Sequence, residues 1–512
     1  MAKISPFQFV ALFRALQTDG PLPENIEALR FEVHEDYEQL GSLGVLLHKT
    51  ERWPYLLTQL RKRIPALEAY CRATQFIYSG TEAYALIERT VRQAALGESN
   101  VRTFVDGLVA DTHPPGYAGV WLQAVCQFGL SDDDVKLLAL AIRNSGEVHD
   151  HRIDERLGGR RLVRYDLLGG LSDKVGLILP ALLVALRRDV PIALSLVAAC
   201  HQTCAGGLWG QWATIPGFRF LTPSAEVFDI LRRYAATVVT ADLKFCPAGE
   251  KFGRLFESIG ASMSPDLVSA HVAGMHLSIP PHSMVLDIQV GGGGPFNRFF
   301  EARAVAGRIM GVLLDEGVSV VSDYSAATEP SGVCIGPILE VSEAIALMKG
   351  VHSALPLSDA ALQEQKRLTI GVFEKLVESE LGPGNWRQMA TRAFEEGLVL
   401  EGFREFLNAH GVRLDTADRL VGDPVRFFGL AKHSIVPARK SGRLMAPDIF
   451  KLRAAAKHLA DMNGGVVLKK RMGESVAAGE PIAEIWTEKN KASGYLADQL
   501  LEAFTIKDDI SK

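Results

Sequence analysis

Apolar positions early in the chain recur at helical spacing. Leu40, Leu43, Leu46 and Leu47 form one set, and Leu56, Leu60 and Ile64 another. A period near 3.6 residues predicts amphipathic helices, so residues 1–95 are read as a helical N-terminal extension for packing or dimerisation. From Ser99 the pattern sharpens. Val101, Phe104, Val105, Leu108 and Val109 share one face, and Tyr117 to Phe128 form a second helix. In Ser131-Asp-Asp-Asp134, Ser131 or Asp132 can accept from the free N–H groups of a first helical turn, which predicts a helix over 135–145. The run Val175 to Leu186 is apolar on every side. It suits a buried core helix and falls short of the roughly 20 residues that a bilayer span needs.

After Leu162 the texture changes to short apolar runs separated by glycines. Val190 to Val197, Val238 to Thr240, Ser283 to Val290 and Val318 to Ser322 are strand candidates. Helical stretches stand between them, at Pro180 to Arg187 and Ala302 to Glu316. Such alternation predicts an α/β sheet with helical crossovers. The segment Gly465 to Ile485 has short strands with Met-Gly-Glu and Gly-Glu-Pro turns, which predict a small β-rich module.

Composition narrows the class. Apolar residues make up 47% of the 512 positions and charged residues 22%, as in soluble globular proteins. With 55 basic and 60 acidic residues, a net charge of -5, there is no broad basic field, so specific nucleic-acid binding is not expected. Six cysteines are too few for a disulfide framework and fit a reducing, cytoplasmic setting. No targeting or membrane segment is expected.

The candidate chemistry gathers at glycines. Gly169-Gly170 precedes the buried helix, where backbone N–H groups could approach an anion; the plain alternative is a tight strand-to-helix turn. Gly206-Gly207 lies in Cys204-Ala-Gly-Gly-Leu-Trp-Gly-Gln-Trp-Ala-Thr-Ile-Pro-Gly-Phe218 and could form the opposite lip of a cleft, with Trp209 or Trp212 stacking on a planar ligand. Gly291 to Gly294 follow Asp287-Ile-Gln-Val290. Cys200, His201 and Cys204 lack the second ligand pair of a strong zinc motif, and His149-Asp-His151 reads as a polar loop. No metal is expected. Lys469-Lys-Arg471 reads as a solvated charged strand or turn.

Taken in order, these stretches resemble the thymidine (pyrimidine-nucleoside) phosphorylase family over roughly residues 97 to 512. Val105-Asp-Gly-Leu108 and Gly146-Glu-Val148 are similar to its opening helices. Gly169-Gly170 with Asp173-Lys174 falls where the family has Asp-Lys-His-Ser-Thr-Gly-Gly-Val-Gly-Asp-Lys. Gly206-Gly207 through Ile215-Pro-Gly-Phe218 falls on its second loop. Pro247-Ala248, Asp287 to Phe296, Ser322-Asp323 and Ile335-Gly336 with Leu339-Glu340-Val341 match further blocks, as does Ala503-Phe-Thr-Ile506.

The resemblance implies a helical domain and a mixed-sheet α/β domain flanking a cleft, with a homodimer formed through helices. The corresponding division is a helical extension over 1–95, a helical dimerisation domain over 96–158 with 245–282, an α/β domain over 159–244 with 283–430, and a C-terminal α+β module over 431–512. The family splits a nucleoside with phosphate into a base and a pentose 1-phosphate. No cofactor is expected, and phosphate is the co-substrate that the resemblance implies.

The polar positions depart from the pattern. The phosphate loop's Lys-His-Ser-Thr is replaced by Tyr165-Asp166-Leu167-Leu168, and the Lys of the family's Asp-Val-Lys by Gln289. A carboxylate near phosphate is repulsive, so ordinary phosphorolysis is not expected. Arg164 and Lys174 are the replacement cations that could meet an anion, with Gly169, Gly170, Gly206 and Gly207 around them. Trp209, His271, His276, Asp287 and Gly291 are the substrate-cleft candidates; the two histidines could contact a base or move a proton. Two functions follow: a pentosyltransferase acting on a nucleoside or nucleotide-like ligand with an altered substrate or acceptor, and a non-catalytic relative binding such a ligand or a protein partner. An anthranilate-type phosphoribosyltransferase is disfavoured because no Gly-Thr-Gly-Gly-Asp loop is present.

Overall fold

The computed structural model describes residues 82–508, apart from short stretches at 114–115, 149–156, 199–206, 222–224, 241–244, 260–263, 293–295, 351–353 and 489–494. The helices expected at Leu40 to Ile64, and the groups His149-Asp-His151 and Cys200, His201 and Cys204, lie outside the described residues. The chain divides into two units. One comprises residues up to Val148 with Leu243–Ser278, and the other His149–Asp242 with Ile279–Lys512.

The first unit is helical. Helices Glu98–Val109, Tyr117–Phe128 and Asp132–Arg143 stand where the apolar periodicity places them. Ser131 is the N-cap, its hydroxyl accepting from the backbone N–H of Asp134. Asp134 in turn accepts from Leu96 N at 2.9 Å, which ties the preceding loop to this helix. Phe104, Trp121 and Phe252 pack in the core.

The second unit is built on a parallel sheet. Its strands are β1 (Arg161–Leu168), β2 (Ile192–Ala198), β3 (Ala236–Thr240), β4 (Ser283–Val290) and β5 (Ser319–Ala326), in the order β3-β2-β1-β4-β5. Every pairing in it is parallel, so the mixed character expected of the domain arises from separate small antiparallel sheets. Helix α1 (Val175–Leu186) follows β1 and is buried along almost its whole length, as its uniformly apolar sequence demands. Helix α2 (Leu208–Ala213) follows β2, and α3 (Phe299–Asp315) crosses from β4 to β5. Then come the short strand β6 (Cys334–Ile335), α4 (Pro337–Lys349) and α5 (Asp359–Leu381).

The C-terminal segment is β-rich, as expected, but shares a core with the sheet's helices. Its strands Gly465–Leu468, Pro481–Glu488 and Leu430–Pro437 continue a four-stranded sheet that begins at β6. Arg471 is half-buried, contacting Glu329 at 2.5 Å, so it is not the freely solvated turn residue expected. No helix among the described residues is long and apolar enough to cross a membrane.

Candidate functional site

In parallel α/β sheets, ligands bind beyond the carboxyl ends of the strands. At this end β1 passes into Gly169 (φ 95°) and Gly170 (φ 81°), left-handed backbone that glycine adopts without strain. A Cβ on Gly170 would strike the Gln289 side chain at 2.1 Å. The Gln289 amide therefore lies against this turn. The Gly170 carbonyl accepts from Arg453 at 2.9 Å, so a residue of the C-terminal segment clasps the turn from outside.

The two cations proposed for an anion are both interior. Arg164 is fully buried and donates from Nε to the Ser195 carbonyl at 3.0 Å. Burial pulls its guanidinium down to about 10, an effect opposed by Asp166. Lys174 is also fully buried, with Nζ 2.9 Å from a carboxylate oxygen of Glu343. The same ammonium donates to Ser172 Oγ at 2.6 Å and to the carbonyls of Ser331 and Cys334. Glu343 also accepts from the N–H groups of Val333 and Cys334, each at 3.0 Å. A Cβ on Gly332 would meet Glu343 and Lys174 at under 3 Å, so the chain has a glycine where this pair needs room. An ammonium surrounded by four acceptors has no proton left for a ligand. Lys174 is thus a buried cation whose ammonium is surrounded by protein acceptors.

Glu340 repeats the pattern. It is fully buried and accepts from Gly336 N at 2.9 Å and Gln211 Nε2 at 2.7 Å. Burial raises its pKa, with Lys174 opposing. The matched blocks Asp173-Lys174 and Leu339-Glu340-Val341 thus knit the start of α1, α2 and α4 together.

Carboxylates occupy the carboxyl halves of β4 and β5. Asp287 of β4 pairs in register with Leu167 of β1 and Asp323 of β5. Register partners project from the same sheet face, so two acids stand side by side. Asp323 is ion-paired with Lys375 of α5. Asp287 is buried and accepts from Ser325 Oγ at 2.7 Å; burial pushes its carboxyl up to about 6, with Asp323 adding to the effect. Asp173, at the start of α1, is likewise pushed up to about 6 by burial and by Asp287. Tyr165 projects from the same face two residues before Leu167. Its phenol is buried, has no hydrogen-bond partner, and feels Asp173, Asp287 and Asp323, so burial and these charges raise its pKa. Two acids that exchange protons around pH 6, beside an unspent phenol, can donate to, or accept from, the hydroxyl and amide groups of a polar ligand.

The other candidates are placed as follows. Gly291 (φ 128°) closes the end of β4 by donating to the Phe296 carbonyl at 2.9 Å. Gly207 is the N-cap of α2, and Gly206 lies outside the described residues. Trp209 stacks on Phe220 with centroids 3.8 Å apart, so its ring already has a planar neighbour. Trp212 is fully buried. His271 and His276 belong to the helical unit. His271 meets the Gly249 carbonyl at 2.8 Å and the edge of Phe256, and His276 is buried. The structure thus gathers Gly169, Gly170, Asp287 and Gly291 at one sheet end and turns Arg164 and Lys174 inward. Sequence reasoning missed Tyr165, Asp323 and Lys375 as neighbours of that end. The available signal was an Asp in the carboxyl half of two adjacent strands, Leu-Asp287-Ile and Ser-Asp323-Tyr. No group of metal-ligating side chains occurs among the described residues.

Comparison with protein-family profiles finds no match. Individual relatives are clear. A thymidine phosphorylase from Sinorhizobium fredii is 24% identical over 427 residues, 81% of this chain and 93% of the relative. Pyrimidine-nucleoside phosphorylases are similar too: that of Bacillus subtilis is 24% identical over 412 residues, and that of a Staphylococcus aureus strain 25% over 440, covering 83% of this chain and 96% of the relative. Among solved structures, the anthranilate phosphoribosyltransferase of Thermus thermophilus aligns over 65% of this chain with a TM-score of 0.46 and 15% identity. The resemblance carried by the motifs therefore extends along about four fifths of the chain.

Proposed function

We propose that this protein is a thymidine phosphorylase-like scaffold that takes a nucleoside or nucleotide-like ligand and transfers its pentose to a neutral hydroxyl acceptor, such as water, in place of phosphate. One observation carries the reading: the two cations that the sequence offers to an anion are buried, Lys174 against Glu343 and Arg164 against the Ser195 carbonyl, while Asp173, Asp287 and a Lys375-paired Asp323 gather near the carboxyl side of the sheet. A doubly charged anion a few Å from an ionised carboxylate is repelled by on the order of kilocalories per mole. A neutral acceptor meets no such barrier.

The carboxyls have the properties that such a transfer requires. In the step, the bond between C1′ and the base nitrogen breaks and a bond from C1′ to the acceptor oxygen forms. The acceptor's proton passes to an ionised carboxylate, and a protonated carboxyl supplies the proton that the departing base takes up. A carboxyl with a pKa of about 6 can fill either role near neutral pH. Asp287, oriented by Ser325, is assigned the proton transfer, with Asp173 as its partner.

The test is to incubate the protein with thymidine, uridine and their nucleotides, with and without phosphate, and to measure released base by chromatography alongside ligand-induced thermal shifts. The expected result is release that does not depend on phosphate and falls at least a hundredfold in Asp287→Asn. Phosphate-dependent release at ordinary enzyme turnover, roughly 1–1,000 per second, would overturn the reading. Nucleoside-induced stabilisation without any release would favour the non-catalytic reading.

A further inference from the structure

Helix α3 carries a pattern that the strand-end site does not use. Its inner face, including Val305, Ile309 and Leu313, is buried. Its outer line runs through Phe300, Ala304, Gly307, Gly311 and Leu314, at alternating steps of four and three residues, and all of these are exposed. Phe300 is 62% exposed and Leu314 53%. The solvent face of a surface helix is normally polar, whereas apolar positions at this spacing form the seam between two packed helices.

The glycines sharpen the point. Glycine inside a helix is unfavourable relative to alanine. A Cβ on Gly307 or Gly311 would meet nothing within 4 Å, so no neighbour among the described residues requires its absence. A bare backbone on an outer face lets another helix approach closely.

The charges select the occupant. Arg298 is the N-cap of α3 and Arg303 lies in its second turn, while Asp315 is its last residue and Glu316 its C-cap. Arg308 lies between them, and Glu301 is engaged at the N-cap, accepting from Arg298 N. The acids at the end of α3 oppose the helix dipole, so this placement is unfavourable within a single helix. Against a second copy running antiparallel it becomes favourable, because each basic start meets the other's acidic end. A two-fold interface must be complementary to itself, and this pattern is.

We propose that α3 is a contact surface for a second copy of this chain, packed antiparallel about a two-fold axis near Gly307 and Gly311. The surface is distinct from the helical-domain dimer implied by the resemblance. The test is the mass of the full chain by sedimentation equilibrium, with circular dichroism to confirm folding. Gly311→Arg, at a position with open space, is expected to halve the wild-type mass. Arg303→Glu should weaken association at least tenfold, and Arg303→Glu combined with Asp315→Arg should restore it. Three results would overturn the proposal: a wild type of single-chain mass throughout the micromolar range, an undiminished mass in Gly311→Arg, or no recovery in the double variant.

Discussion

Lys174 shows how a residue's chemistry depends on what surrounds it. In the sequence it stands at the start of a helix beside a glycine turn, where a lysine can face either solvent or an anion. Its actual partner, Glu343, comes from α4, far along the chain, and no local pattern announces that pairing. Breaking a buried ion pair from one side leaves an uncompensated charge. Lys174→Ala is therefore expected to lower the unfolding free energy by about 3–5 kcal/mol in urea titrations. Lys174→Met combined with Glu343→Leu, which removes both charges together, should regain most of it. A variant of Lys174 that loses activity while keeping full stability would count against the structural role assigned here. Arg164 was illegible for the same reason: its acceptor is a carbonyl on the neighbouring strand.

At the level of elements, the apolar runs were sound guides. Ser283–Val290 forms a strand with the expected limits, and the other three strand candidates lie within or overlap β2, β3 and β5. The central strand β1 was the miss. Arg164 and Asp166 interrupt its apolar run, and the resemblance to the phosphorylase family places Tyr165 to Leu168 in a loop, whereas they form the end of β1. A buried strand tolerates that arginine because its guanidinium donates to Ser195. Helix α3 was visible from its periodicity, but its glycines were not interpretable until the helix had an inside and an outside. Gly307→Ala and Gly311→Ala should each stabilise the isolated chain by roughly 0.5–1 kcal/mol, measured by thermal unfolding at high dilution, while weakening self-association. Unchanged or lowered stability in dilute solution would mean that the exposed face of α3 is covered within the chain itself.

For the molecule as a whole, buried ionisable groups set the dependence of stability on pH. Asp173 and Asp287 have folded values of about 6 against an ordinary 3.8. Their contribution is complete below the ordinary carboxylate value and is lost as the pH rises through 6. His410 acts in the opposite sense. Burial pushes it down to about 4, with its ring held between the Arg219 carbonyl and Val238 N. Its contribution is complete above 6.5 and is lost as the pH falls through 4. Asp287→Asn removes one of the carboxylate penalties. It should raise stability at pH 7.5 by on the order of 2 kcal/mol and leave it nearly unchanged at pH 4. An equal gain at both pH values would show that Asp287 is not held near 6 in the folded chain.

The bond from Arg453 to the Gly170 carbonyl has a consequence for biogenesis. Chains emerge from the ribosome with their N-terminal parts first, so the turn at the end of β1 is made long before its clasp. Until the later segment has been synthesised and has docked, that turn lacks one of its anchors, so its final geometry is set only when residues near position 453 are in place.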